Sequence, residues 1–224
     1  MRAPWAIVCD FDGTALTFDL GDRVACHFAG EASYRAAEDA YRAGACNFGG
    51  LLLRVFGPIT ASREEIGAFA RRTAVLRPGF ERFLAACRES GRPFLMVSSG
   101  LDAYIEPVLD RLDPALRAHL ELRANRAVPG AGGLEITFHG ADCGSCGFCK
   151  GNVVRELQAT GQRVVVCGDG VGDRHAADAA DHVFARAGSS LVDYCAERGI
   201  AHDVFETFHE VVERFPAGAP RLAG

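Results

Sequence analysis

The stretch IVCDFDGTA, residues 7–15, sets two carboxylates, Asp10 and Asp12, at the end of an apolar run and follows them with a glycine and a threonine. Its apolar part belongs to WAIVCDF (5–11), a continuous run of the kind found in a parallel strand buried on both faces. On such a strand the two acids alternate to the same side, so their charges crowd unless a cation or a proton offsets them. In isolation Asp, Asp and Gly are ordinary turn formers. A turn is thus the default for the pair alone, a metal-dependent catalytic pair is the alternative, and the rest of the chain decides between the two.

Two further apolar runs share this form. RPFLMVSSG (92–100) ends in two hydroxyls and a glycine, and RVVVCGDG (163–170) ends beside Asp169. Helical patterns lie between them: RPGFERFLAACRESG (77–91), stopped by Gly91, then DAYIEPVLDRL (102–112) and KGNVVRELQATG (150–161). LELRANRAV and GGLEITFHG, joined by PGAGG, predict a hairpin or edge pair. DRHAADAAD, HVFAR, SLVDYCAERG and FETFHEVVERF predict a helix, a strand and two helices, with residues 216–224 as a frayed end. The alternation predicts an α/β fold, a Rossmann-like parallel sheet flanked by helices. Ligands of such sheets sit outside the carboxyl ends of the strands, where Asp10, Asp12, Ser98, Asp169 and Asp173 all fall.

Residues 20–76 contain no convincing strand. In TASREEIGAFARRTAV (60–75), Thr60 or Ser62 can cap a helix whose first turn carries Glu64 and Glu65. The expected organisation is an α/β core of residues 1–14 and 77–224, with a small helical cap domain, 15–76, inserted after the first strand.

The chain of 224 residues is 49% hydrophobic and 24% charged, a globular composition that excludes disorder. Its net charge of −5 gives no general electrostatic reason to bind nucleic acid or an anionic membrane. No apolar run approaches the roughly 18 residues of a membrane span. The first strand begins too early to leave room for a signal peptide, so a cytoplasmic protein is expected. Oligomeric state has no signature in the sequence.

Four carboxylates and a hydroxyl on one edge repel each other strongly without a divalent cation. Oxygen-only ligands favour Mg2+ over zinc, and Mg2+ typically shares its shell between carboxylates, waters and substrate phosphate oxygens. The site therefore predicts a phosphate-like substrate. Phosphoryl transfer needs a nucleophile, a proton donor and positive charge at the equatorial oxygens. A carboxylate can act as nucleophile by forming an acyl phosphate. Lys150 can supply point charge, while the Ser98 hydroxyl and the backbone amides after Asp10 can hold oxygens.

In order and spacing, DFDGT (10–14), MVSSG (96–100), Lys150 and GDGVGD (168–173) resemble the four motifs of the haloacid dehalogenase-like phosphatase superfamily. The resemblance spans the chain apart from the cap and the tail. It implies that Asp10 is the nucleophile and that Asp12 protonates the leaving oxygen, then activates the hydrolytic water. It implies catalytic roles for Ser98 and Lys150, and substrate contacts from Phe11, Ser99 and Gly100. Mg2+ would be held by Asp10, the Asp12 backbone carbonyl and Asp169, with Asp173 in its shell or bound to Lys150. The helical block stands where the superfamily carries a cap that closes over the site and selects a small phosphorylated metabolite.

A narrower resemblance concerns substrate. VSSGLDAYIEPVL, CGSCGFCK and FARAGSSLVDYCAERGIAHDVFETFHEV resemble the 2-hydroxy-3-keto-5-methylthiopentenyl-1-phosphate phosphatases of methionine salvage, with phosphoserine phosphatases the next relatives. The chain departs at CKGN, where the salvage enzymes have proline after the lysine, and shortens the region before the cysteines. Rival readings are a phosphoserine phosphatase-like enzyme, a dehalogenase and a cysteine-regulated non-catalytic module of the same fold. A dehalogenase needs neither Asp12 nor Mg2+, and a silent module would not need every motif residue intact.

Nine cysteines remain to be placed. Cys9, Cys87 and Cys167 read as small buried hydrophobes. Cys143, Cys146 and Cys149 form C-x-x-C-x-x-C, with His139 four residues earlier. The spacing suits zinc, and Cys143 and Cys146 could be a redox pair. With no evident fourth ligand and no second C-x-x-C, the preferred reading is free thiols in a tight loop that positions Lys150. The histidines at 27, 119, 139, 175, 182, 202 and 209 show no ligand spacing and read as surface or packing residues. Phe18, Asp19, Arg54 and Phe56 are the cap residues nominated to select substrate.

Overall fold

All five residues of β1 (Trp5–Cys9) are buried, as a strand in the middle of a covered sheet requires. The computed structural model describes residues 4–140 and 143–215, so the frayed end expected at 216–224 lies outside the described residues. From β1 the chain passes through a tight turn, Phe11–Ala15, into four helices: α1 (Leu20–Phe28), α2 (Glu31–Arg42), α3 (Phe48–Phe56) and α4 (Arg63–Thr73). It returns through α5 (Phe80–Glu89) to β2 (Phe94–Leu101), then α6 (Asp102–Leu109), α7 (Pro114–His119), β3 (Leu120–Gly130) and β4 (Gly133–Thr137). The remainder is α8 (Lys150–Ala159), β5 (Arg163–Gly168), a 3-10 turn at Val171–Asp173, α9 (Arg174–Ala179), β6 (His182–Arg186), α10 (Ser190–Arg198), β7 (His202–Phe205) and α11 (Phe208–Glu213).

The sheet order is β4-β3-β2-β1-β5-β6-β7, parallel throughout except for the β3–β4 hairpin. This is the expected α/β architecture. Cys9 pairs with Met96 on one side and Cys167 on the other, so β1 and β5 end at one edge, where β2 runs on through Ser98 to Leu101. Two elements were not anticipated. Pro114–His119 forms a short helix, N-capped by the Asp113 side chain. His202–Phe205 is an edge strand between the two expected helices, where only Phe205 had been read as helical. Four residues are too few to display a period, and what selects the strand is pairing with β6, including His182–Asp203 at 3.1 Å.

Both sheet faces are covered. On one, Phe83 stacks on Phe208 at 5.5 Å between ring centroids, and Phe80 meets Phe94 and Phe208 edge-on. Such aromatic pairs add about 0.5–1.5 kcal/mol each beyond the area they bury. On the other face Val8, Val97 and Val166 pack against Val153, Val154 and Leu157 of α8.

The four helices after β1 leave and rejoin the sheet region at one place, where Thr17 donates to the Val75 carbonyl and Arg77 to that of Ala15. Ser62 and Glu65 form the capping box that starts α4, choosing between the two caps the sequence offered. Arg63 then pairs with Asp102 at 3.0 Å and Glu106 at 2.6 Å on α6. Among the described residues no helix is long and apolar enough to cross a membrane.

Candidate active site

Asp10 leaves β1 where the ladder ends, its amide still donating to the Cys167 carbonyl at 2.9 Å. The following turn needs Gly13, whose φ is +68° and where a β-carbon would lie 2.3 Å from an Asp169 carboxylate oxygen. That closeness lets Thr14 Oγ1 bridge Asp10 Oδ2 (3.3 Å) and Asp169 Oδ1 (3.1 Å). Arg77 fastens the turn from outside, donating to the carbonyls of Gly13, Thr14 and Leu16 at 2.7, 2.7 and 2.9 Å. Neither Thr14 nor Arg77 was singled out from sequence, although Thr14 stands inside the quoted motif.

Lys150 opens α8 and is 3% exposed, so the solvated lysine that its position on a helix suggests is not what forms. Its ammonium pairs with Asp10 and, at 2.7 Å, with Asp173 Oδ1. The other Asp173 oxygen accepts from the amides of Asp169 and Gly170 at 2.9 and 3.0 Å. Burial alone would strip the lysine proton, but Asp10 and Asp173 hold it above the ordinary range. Removing one member of such a buried set costs about 3–5 kcal/mol, because the others stay buried without it.

Carboxylate oxygens of Asp10, Asp169 and Asp173 lie within 4.8 Å of one another. Burial, with the neighbouring acids, pushes Asp10 well above the usual carboxylate range and Asp169 to about 6. A buried all-oxygen cluster with one lysine against three acids retains excess negative charge, and its donor chemistry fits a hard divalent cation.

Asp12 faces away from this cluster. Its Oδ1 accepts from the amides of Leu20 and Gly21 at 2.9 and 3.2 Å, at the start of α1, and its Oδ2 accepts from Tyr104 at 2.6 Å. Burial pushes Asp12 up to about 6, against the pull of Tyr104 and the two amides. Its carboxylate is therefore no member of the oxygen cluster, and only its backbone carbonyl is left for a cation. Tyr104 went unnoticed in the sequence. It reaches Asp12 because residue 100 is glycine, where a β-carbon would sit 1.8 Å from the tyrosine oxygen.

Ser98 Oγ accepts from the Gly100 amide at 2.9 Å, leaving its own proton to give. Ser99 Oγ is buried without a hydrogen-bond partner. Both line a cavity of about 360 Å³ together with Asp10, Asp12, Lys150 and Asp169. Its far wall comes from α2 and α3: Tyr34, Glu38, Tyr41, Phe48, Leu51, Leu52, Val55 and Phe56. Asp19 and Phe56 line it as nominated. Phe18 and Arg54 do not: Phe18 stacks beneath Arg23, and Arg54 lines a separate surface cleft with Pro58. Phe11, expected on the substrate, is not among the lining residues either; its ring is buried 6.4 Å from that of Tyr104. Only its backbone remains for that role.

The reading of the histidines fails at one position. His175, on α9, lies against the sulfurs of Cys143, Cys146 and Cys149, and the four ligand atoms are within 4.8 Å of one another. His175 lies 26 residues beyond Cys149, outside any local spacing. All nine cysteines are free of disulfides.

The family model of the haloacid dehalogenase-like hydrolases matches residues 7–178. The chain is 30% identical over 212 residues to a 2-hydroxy-3-keto-5-methylthiopentenyl-1-phosphate phosphatase of Exiguobacterium sibiricum, covering 92% of this chain and 94% of that protein. It is 32% identical over 210 residues to the like-named protein of Bacillus velezensis, covering 92% and 87%. A bifunctional enzyme MtnB/MtnX of Bacillus licheniformis is 33% identical over 94% of the chain, which spans about half (49%) of that protein's length. Among solved structures, a phospho-aspartyl intermediate analogue of phosphoserine phosphatase superposes with a TM-score of 0.71, covering 96% of this chain and 100% of that one. Its 17% identity makes that a likeness of fold.

Proposed function

This chain belongs to the haloacid dehalogenase-like hydrolases and is a phosphatase, and from that premise we propose a Mg2+-dependent phosphomonoesterase working through an aspartyl-phosphate in the cytoplasm. The observation that carries the reading is the buried set of Asp10, Asp169, Asp173 and Lys150 on the floor of one cavity. Asp10, Asp169, Asp173 and the Asp12 carbonyl would hold Mg2+, which when bound supplies positive charge to the phosphate oxygens.

The chain's own residues do the rest. Asp10 attacks phosphorus, and Lys150 neutralises charge on the nucleophile and the transferred group. Ser98 and Ser99 give hydroxyl protons to phosphate oxygens. Asp12, raised to about 6 by burial, gives its proton to the departing oxygen and afterwards takes one from the water that cleaves the acyl phosphate. Residues 15–76 act as the cap, and residues 1–14 and 77–224 as the core.

The cavity wall supports a choice of substrate. Leu51, Leu52, Val55, Phe56 and Phe48 present an apolar surface opposite the acids, beside the hydroxyls of Tyr34 and Tyr41. Among the described residues lining the cavity, Lys150 is the one cation, and it is committed to Asp10 and Asp173. A phosphoserine carboxylate would find no arginine there, whereas a thioether chain would find matching wall. This favours 2-hydroxy-3-keto-5-methylthiopentenyl-1-phosphate, the substrate named for the relatives, over phosphoserine. The test is turnover of both esters with and without Mg2+. Preference for the thioether substrate and dependence on Mg2+ are expected. Metal-independent turnover, or preference for phosphoserine, would overturn the corresponding half of the reading.

A further inference from the structure

We propose that Cys143, Cys146, Cys149 and His175 form a closed tetrahedral site for one zinc ion, separate from the oxygen cluster and tying the loop before Lys150 to the helix after Asp173. His175 Nδ1 lies 3.6 Å from Cys143 Sγ, 3.3 Å from Cys146 Sγ and 3.6 Å from Cys149 Sγ. A ring nitrogen carries one proton or one lone pair, so it can satisfy one of these sulfurs and not three. Three sulfurs nearly equidistant from one nitrogen instead mark three edges of a tetrahedron with a shared centre. Zinc–sulfur bonds of about 2.3 Å and zinc–nitrogen bonds of about 2.0–2.1 Å, at tetrahedral angles, put each sulfur about 3.5–3.6 Å from the nitrogen. The observed separations match.

Donor chemistry sorts the two clusters. Three thiolates and an imidazole prefer zinc, while carboxylates prefer Mg2+, so the sites do not compete for one ion. Cys149 is 1% and Cys146 8% exposed, whereas Cys143 is open to solvent and gives the ion a way in. Four protein ligands complete a tetrahedron and leave no position for substrate, the signature of a structural rather than a catalytic zinc.

Location gives the site its consequence. Cys149 directly precedes Lys150, and His175 follows Asp173 by two residues, so the ion fastens the backbone behind both partners of the buried pair. The same loop meets α3: Gly49 donates to the Ser145 carbonyl at 3.1 Å, and Asn47 Nδ2 to that of Gly144 at 3.2 Å. His175 is thus a positioning residue that acts through zinc.

The experiment is metal analysis of the full chain, expressed without an affinity tag, saturated with zinc and then dialysed against buffer containing Mg2+. About one zinc per chain should remain. Cobalt(II) put in its place should show intense tetrahedral visible bands and a thiolate-to-cobalt charge-transfer band. His175→Ala should weaken zinc at least ~100-fold in competition with a chelating dye, since losses outside the ligand shell already reach about that size. His175→Cys should restore retention and strengthen the charge-transfer band. The control Cys26→Ser should change nothing. Wild-type protein that keeps no zinc after dialysis, a Cys143–Cys146 disulfide in its place, or a His175→Ala protein with unchanged affinity and cobalt spectrum would overturn the site. None of these readouts depends on turnover, so they stand apart from the phosphatase reading.

Discussion

Cys149 and Lys150 are consecutive in the chain, yet they belong to two clusters of opposite chemistry. Lys150 joins the carboxylates of Asp10, Asp169 and Asp173, which open onto the cavity. Cys149 joins two other sulfurs and an imidazole in a set already complete at four. The oxygen cluster keeps room for a substrate and carries excess charge. The sulfur cluster has no such room, because four strong ligands saturate a zinc ion. One peptide bond thus separates a member of the open oxygen cluster from a member of the closed sulfur cluster.

Substitutions at the two clusters should behave accordingly. The largest effect is expected from Asp10→Asn, which keeps shape but removes the nucleophile. Steady-state assays should show turnover down by about 10⁴-fold or more, with zinc content unchanged. Near-normal rates would rule out the covalent route. Asp12→Asn should cost about 10²–10⁴-fold, more on esters with poor leaving groups, because it removes the proton donor. Equal losses across leaving groups would point to another donor.

Tyr104→Phe should lower kcat/KM about tenfold, the size of one lost hydrogen bond to a charged group. The Tyr104 hydroxyl holds Asp12 down, so its removal should also move the alkaline limb of the kcat/KM profile upward. An unmoved limb would dissociate Tyr104 from the acid. On the sulfur side, stripping zinc should lower Tm by several degrees and turnover only a few-fold, both restored by zinc and not by Mg2+. A loss of activity as deep as that of Asp10→Asn, with Tm unchanged, would place the zinc in the chemistry and erase the distinction between the clusters.

The smallest effect is one of pH on metal-free protein, read by thermal shift. Asp12 and Asp169 titrate near 6 in the folded chain, above their unfolded values, with burial the leading cause for both. The folded state therefore binds more protons than the unfolded state from about pH 4 to about pH 6. Stability from these groups is present below pH 4 and is lost as pH rises through 6. Tm should fall between pH 5 and 7.5, and Mg2+ should raise it more at 7.5 than at 5. A Mg2+ effect independent of pH would mean that the carboxylates do not hold the ion.

Much of the cavity floor was legible before any coordinates. Asp10, Ser98 and Asp169 each follow an apolar run, and a parallel sheet brings the ends of its strands to one edge by construction. Lys150 was legible through its order among the motifs, although nothing local marks it as buried. Phe18, in the bend before α1, and Arg54, on α3, were misplaced because sequence alone does not show which side chains of the block face the core. Both lie on the helical block, yet neither reaches the cavity.

What escaped the sequence depends on contacts between segments far apart along it. His175 meets three cysteines because α8 and α9 pack together, and no spacing rule spans the 26 residues from Cys149. Arg77 holds carbonyls of the Asp10 turn from 61 to 64 residues away, and Tyr104 reaches Asp12 across 92. The ends of the long apolar strands and the cap at Ser62 are set by neighbouring residues, so composition and order suffice to read them. Which distant side chains share a few ångströms is decided by how helices pack on the sheet, and that packing turns an incomplete run of cysteines into a complete ligand set.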